Sequence, residues 1–165
     1  MIWIEKKKRD KMKEKTCCFT GHRAIPPAEM ECVSVRLREA VREHIERGYR
    51  YFGAGGAIGF DTLAAETVLS LKEEFPEIAL ILVLPCENQT KNWRKEDVLR
   101  YESIKSRADK CVYTADVYTA GCMQKRNRHL VDNSSSCIAY LRMGNGGTAY
   151  TVRYAEKKGV PITLL

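Results

Sequence analysis

The sequence has no apolar run longer than the seven residues Ile78 to Leu84. A membrane-spanning helix needs about 20 such residues, so none is expected here. The apolar start, Met1 to Ile4, meets Lys6 almost at once and cannot serve as a secretory signal. A cytoplasmic protein without a membrane partner is the expectation. Disulfide or zinc signatures are missing as well. Seven cysteines, at 17, 18, 32, 86, 111, 122 and 137, form an odd set with no C-x-x-C pair and no histidine at ligand spacing. Neither a disulfide framework nor a metal site is expected, and reduced cysteines inside apolar runs such as Cys137-Ile138-Ala139-Tyr140 behave as small core residues.

What the chain does have is globular composition: 44% hydrophobic and 30% charged residues over 165 positions, enough for one domain. The net charge of +7 is unevenly spread, with +4 in the first sixteen residues and +3 in all the rest. Residues 1–15 therefore read as a mobile basic arm on a nearly balanced domain at 16–165. Such an arm keeps a protein soluble, and it can also contact nucleic acid weakly through counterion release.

Short apolar runs alternate with longer amphipathic ones, the α/β pattern. Strands are predicted at Cys17–Thr20, Tyr49–Phe52, Ile78–Leu84, Cys111–Thr114, Cys137–Leu141 and Pro161–Leu165. Helices are predicted at Pro27–Arg47, Asp61–Phe75, Arg94–Ala108, Gly121–Asp132 and Gly147–Lys158. Right-handed crossovers would wind these helices onto both faces of a mainly parallel sheet of five to six strands, a single three-layer domain, with 3-2-1-4-5-6 as the default strand order.

Ligands of such sheets bind beyond the carboxyl ends of the strands, and three segments there are unusual. They are Thr20-Gly21-His22-Arg23, the glycine-rich Gly53 to Asp61, and Arg142 to Thr148. The second and third run into helix starts, where glycine lets backbone approach a ligand and free N–H groups attract phosphate. Two such turns, with Arg23, Arg126, Arg128 and Arg142 nearby, point to a phosphate-bearing ligand.

Four linked stretches resemble the YpsA-like family of the SLOG superfamily. These are Thr20-Gly21-His22-Arg23, Gly55 to Glu66, Gln124 to Asp132 and Gly146 to Ala155. The resemblance covers about residues 16–165 and implies a Rossmann-like fold with a pocket for a nucleotide or nucleotide-derived ligand. Relatives in the superfamily include the LOG nucleotide phosphoribohydrolases, formerly called lysine decarboxylases, and the DNA-processing DprA/Smf proteins. They imply, as alternatives to simple ligand binding, N-glycosidic hydrolysis of nucleoside monophosphates or binding of single-stranded DNA, and a homodimer formed through exposed helices. Against the LOG motif P-G-G-x-G-T-x-x-E, this chain places Met143 for Pro, Gly144 and Asn145 for the two glycines, Gly147-Thr148 for G-T, and Thr151 for the glutamate. The carboxylate of LOG chemistry is thus missing at 151.

The ligand and phosphate candidates are Gly21, His22, Arg23, Gly55, Gly56, Gly59, Asp61, Arg126, Gly144, Gly146, Gly147 and Thr148. Asp61 is a candidate for the ribose hydroxyls, and its place at a helix start is equally that of an ordinary N-cap. Asp61 and Glu66, about one helical turn apart, are the candidate catalytic carboxylates. His22 is read as a binder, a hydrogen-bonded loop histidine sooner than a general base, and His44 as structural. Arg126 and Arg128 point about 200° apart on a helix, so at most one faces the pocket, and Arg126 is the choice. Trp93 is a candidate for stacking on a base or for capping the sheet edge.

Overall fold

A computed structural model of the chain describes residues 2–165. Twelve elements follow in order: α1 (Ile2–Lys13), β1 (Thr16–Gly21), α2 (Pro27–Glu46), β2 (Tyr51–Ala54), α3 (Phe60–Leu71), β3 (Ala79–Leu84), α4 (Lys95–Arg107), β4 (Lys110–Tyr113), α5 (Cys122–Asp132), β5 (Ser136–Tyr140), α6 (Gly146–Lys157) and β6 (Ile162–Leu164). All strand pairs are parallel, and the sheet order is β4-β3-β2-β1-β5-β6. This is a Rossmann-like α/β domain.

The order corrects the expected 3-2-1-4-5-6. The winding reverses one strand later: α4 packs on α3 and carries the chain outward to β4 at the sheet edge. Only α5 crosses back, on the opposite face against β1 and β3, to place β5 beside β1. The topological switch point therefore lies between β1 and β5, where two neighbouring strands lead to helices on opposite faces.

Alternation along each strand builds two cores. Cys17, Phe19, Leu80, Leu82, Leu84, Ile138 and Tyr140 face α2, α3 and α4, joining Leu37, Val41, Ala64, Val68 and Ile104. Cys18, Val83, Cys137 and Ala139 point the other way, into a smaller cluster with Leu130, Val131, Val152 and Ala155 of α5 and α6. His44 is buried in the larger layer, with Nδ1 2.7 Å from the Ala40 carbonyl and Nε2 2.8 Å from Ser136 Oγ. A carbonyl only accepts, so Nδ1 carries the proton and Nε2 accepts from the serine.

Residues 2–13 of the basic leader are helical. Lys, Glu, Arg and Met are strong helix formers, and charge alone does not prevent a helix. The helix is tied to the domain just before β1, where Thr16 Oγ1 donates to the Met12 carbonyl and Ser135 Oγ to the Glu14 carbonyl.

Candidate functional site

A cavity of about 260 Å³ opens at the switch point, beyond the carboxyl ends of β1 and β5. The end of β1 and the turn after it contribute Gly21, His22 and Arg23; the start of α3 contributes Asp61; α5 contributes Met123, Arg126 and Asn127; and the start of α6 contributes Gly147 and Thr148. The turn after β1 is pinned to the start of α3, since the Phe60 N–H donates to the His22 carbonyl at 3.0 Å and Gly59, at φ +83°, lies against the Arg23 backbone. Any side chain at Gly59 would meet that backbone in a conformation L residues disfavour.

Arg126 is buried, 4% exposed, and organises the floor of the cavity. Its Nη1 donates to the Gly55 carbonyl, its Nε donates to Asn127 Oδ1 at 2.7 Å, and Nη1 lies 3.7 Å from Asp61 Oδ2. Gly55 is required here because a Cβ would fall 2.7 Å from Asp61 Oδ2 and collide with the guanidinium. Asp61 Oδ2 also accepts from the Ala57 N–H at 3.2 Å. Burial pushes the Asp61 carboxyl above its ordinary range, against the pull of Arg126, and burial likewise lowers the Arg126 guanidinium. Arg23 supplies a second cation whose field reaches both groups. It has no carboxylate within ion-pair distance among the described residues. Two guanidinium groups against one carboxylate, facing the N-termini of α3 and α6, leave the cavity electropositive.

His22 Nε2 accepts from the Arg142 backbone N–H at 2.9 Å, so its proton sits on Nδ1. The ring packs edge-on to Tyr140, 5.8 Å between centroids. Burial and then the Arg142 cation hold it below the usual imidazole range. Arg142 itself turns away from the cavity: its Nε donates to Glu29 and its Nη1 to the Leu165 carbonyl.

A second cavity, about 780 Å³, adjoins the first through Arg23 and Met123. Ile58, Asn88, Gln89, Trp93 and Tyr118 line it. Trp93 stands edge-on to Tyr101 at 5.6 Å and so has one side in the core and one on the cavity.

The family model YpsA, described as the YspA SLOG family, matches residues 18–164. The chain belongs to this SLOG family. It is 27% identical over 135 residues to the SPbeta prophage-derived protein YoqJ of Bacillus subtilis (strain 168), covering 74% of this chain and 79% of that one. Its fold is that of DNA processing protein A from Helicobacter pylori, a structure concerned with that protein's single-stranded DNA binding mode: TM-score 0.67 and 18% identity over 95% of this chain and 67% of that one. DNA processing protein A (DprA) from Streptococcus pneumoniae has a TM-score of 0.66 and 17% identity over 94% of this chain, which spans about half of that protein.

Within this SLOG domain the sequence candidates divide. Gly21, His22, Arg23, Asp61, Arg126, Gly147 and Thr148 meet at one cavity, with Gly55 packed behind Arg126. Gly56 lies toward the second cavity, beside Leu84, Gln89 and Tyr101. Gly146 begins α6 next to Gly147 at φ +85°. Gly144 does not reach the cavity, because it sits on the exposed loop with its carbonyl taken by Arg153 Nη1 at 3.1 Å. Glu66 is also elsewhere: five residues beyond Asp61 is about 140° around the helix, and Arg100 of α4 holds both carboxylate oxygens at 2.6 and 2.5 Å. Thr151 is buried, its hydroxyl donating to the Gly147 carbonyl at 2.8 Å. Arg128 donates to the Tyr150 hydroxyl of α6 at 3.0 Å and does not line the switch-point cavity. Met123 and Asn127 were missed, although Met123 lies three residues before Arg126 and four before Asn127, one helical turn from each. Asn88 and Tyr118 carried no such signal; they come from two loops joined by the Tyr118 N–H to Asn88 Oδ1, at 3.1 Å.

Proposed function

We propose that this SLOG domain binds a nucleotide-derived small molecule across the two adjoining cavities. Its phosphate lies at the electropositive switch-point cavity, against the N–H groups of Gly147 and Thr148 and the guanidinium groups of Arg126 and Arg23. Its base lies toward Trp93 in the larger cavity. The observation that carries this reading is the convergence of two helix N-termini and an excess arginine on one cavity. Asp61 has one oxygen within reach of both Arg126 and the Ala57 N–H. Its other oxygen suits the ribose hydroxyls. Binding or sensing is favoured over LOG-type hydrolysis because the position of the LOG glutamate holds Thr151, whose hydroxyl is committed to the backbone. Among the described residues Asp61 is the one carboxylate lining this cavity, so any N-glycosidic cleavage falls to it.

The test is thermal stabilisation by nucleoside monophosphates, NAD, ADP-ribose and cyclic nucleotides, since a ligand of the folded state raises its apparent stability. Gly147→Asp is the control. A Cβ at 147 meets nothing within 4 Å, and an acidic residue in the first turn suits the helix, so this variant folds while repelling phosphate. A shift with one nucleotide class that the variant abolishes supports the site; no shift with any of them sinks it.

Single-stranded DNA binding is the second reading, favoured by the DprA fold neighbours and by the six cations on α1. Replacing Lys6, Lys7, Lys8 and Arg9 by Ala should then lower DNA affinity and flatten its salt dependence while leaving nucleotide binding intact.

A further inference from the structure

The wall of the larger cavity contains a polar group with nothing to bind. The side-chain nitrogen and oxygen of Gln89 are both buried and neither has a hydrogen-bond partner among the described residues; the Tyr101 hydroxyl is likewise unpaired. Gln89 and Tyr101 share the space over Gly56, where a Cβ would come within 3.4 Å of Gln89 Nε2 and of the Tyr101 ring. A bond between the two side chains would serve the hydroxyl and one amide atom. The other amide atom stays orphaned whichever way the amide is turned. An orphaned buried polar atom is costly and rare in native interiors. Gln89 also lines the cavity, alongside Trp93 and Tyr118. Rotation about its side-chain bonds would be what brings the amide into that space.

We propose that Gln89 is the base-reading residue of the cleft, its carboxamide pairing with an adjacent donor and acceptor on the edge of a nucleobase held beside Trp93. The inference rests on the nucleotide reading above and adds recognition of the base to that of the phosphate. A carboxamide presents a donor and an acceptor side by side, the arrangement with which Gln and Asn read base edges. Because the amide can turn over, Gln89 requires a base edge without dictating which base. The groups assigned to the phosphate, in contrast, line the switch-point cavity, with Arg23 shared between the two.

The experiment compares stabilisation by ribose 5-phosphate with that by the common nucleoside 5′-monophosphates, in the wild type and in Gln89→Leu and Gln89→Met. At least one nucleotide is expected to bind the wild type about tenfold more tightly than ribose 5-phosphate, the scale of one bidentate base contact. Both variants keep ribose 5-phosphate binding, lose that preference, and melt no lower than the wild type without ligand, since an apolar side chain replaces an orphaned amide. A wild type that binds ribose 5-phosphate but prefers no nucleotide overturns the role of Gln89 and leaves the phosphate site standing. Variants that keep the preference, or that melt well below the wild type because the amide was bonded after all, also overturn it. A wild type stabilised by none of these compounds overturns the nucleotide reading, and this inference with it.

Discussion

His22 and Arg142 lie 120 positions apart in the chain and are joined by one hydrogen bond, from the Arg142 backbone N–H to His22 Nε2 at 2.9 Å. The bond locks the turn after β1 to the turn after β5 across the switch point. It exists only while Nε2 is unprotonated, which makes the geometry of the cleft dependent on pH.

Stability should therefore fall on the acid side of neutrality. Burial holds His44 below the ordinary imidazole value of about 6.5, and burial with the Arg142 cation does the same for His22. In both, the unfolded chain binds the proton more readily than the folded one. Their contribution is complete above about pH 6.5 and is lost as pH falls through the lower folded values. Melting temperature is expected to drop between pH 7 and pH 5, and to drop less steeply in His22→Gln. An unchanged slope in that variant would remove His22 from the effect.

Gly55 and Gly147 should respond oppositely to alanine. A Cβ at 55 strikes Arg126 and Asp61, so Gly55→Ala is expected to destabilise by about 1–3 kcal/mol, as overpacking does. At 147 the space is open and the residue is helical, so Gly147→Ala should gain about 0.5–1 kcal/mol. Urea unfolding of the two variants checks both signs.

The buried pair of Arg126 and Asp61 should behave as a unit. Arg126→Met strands a buried carboxylate and is expected to cost about 3–5 kcal/mol, whereas Arg126→Met with Asp61→Asn should cost clearly less than the sum of the single changes. Additive costs in a double-mutant cycle would mean the two groups are not coupled.

Glu66 provides the contrast. Its pairing with Arg100 is partly solvated, with side chains 33% and 53% exposed, so Glu66→Gln should change stability by at most about 1 kcal/mol. It should leave nucleotide-induced stabilisation unaltered. A lost thermal shift in that variant would return Glu66 to the site.

Much of this was legible in the sequence because burial on both faces makes parallel strands continuous apolar runs. Ile78 to Leu84 and Cys137 to Leu141 stand out for that reason, and the glycine turns flag the helix starts they feed. Helix angle showed that Arg126 and Arg128 could not both line the cavity, but it did not say which of them would; the structure places Arg126 there. Strand order was not legible, because the reversal of winding depends on α4 packing against α3, and that contact leaves no periodic trace. The fate of Glu66 was hidden for a similar reason: its partner, Arg100, lies 34 positions away on another helix. Gln89 was passed over since an isolated amide in a polar loop looks ordinary until both of its polar atoms are known to be buried without partners.

The two cores are unequal, and this has a kinetic meaning. Arg126, Gly147 and Thr148 stand on α5 and α6, the layer anchored by the smaller cluster, while Asp61 stands on the layer with the larger one. The thinner layer is the cooperative unit expected to open first in native-state fluctuations. Amide protons of α5 and α6 should exchange with deuterium before those of α2 and α3. Because both layers share the cavity, an occupant that bridges them would slow exchange most in the half that is loosest without it.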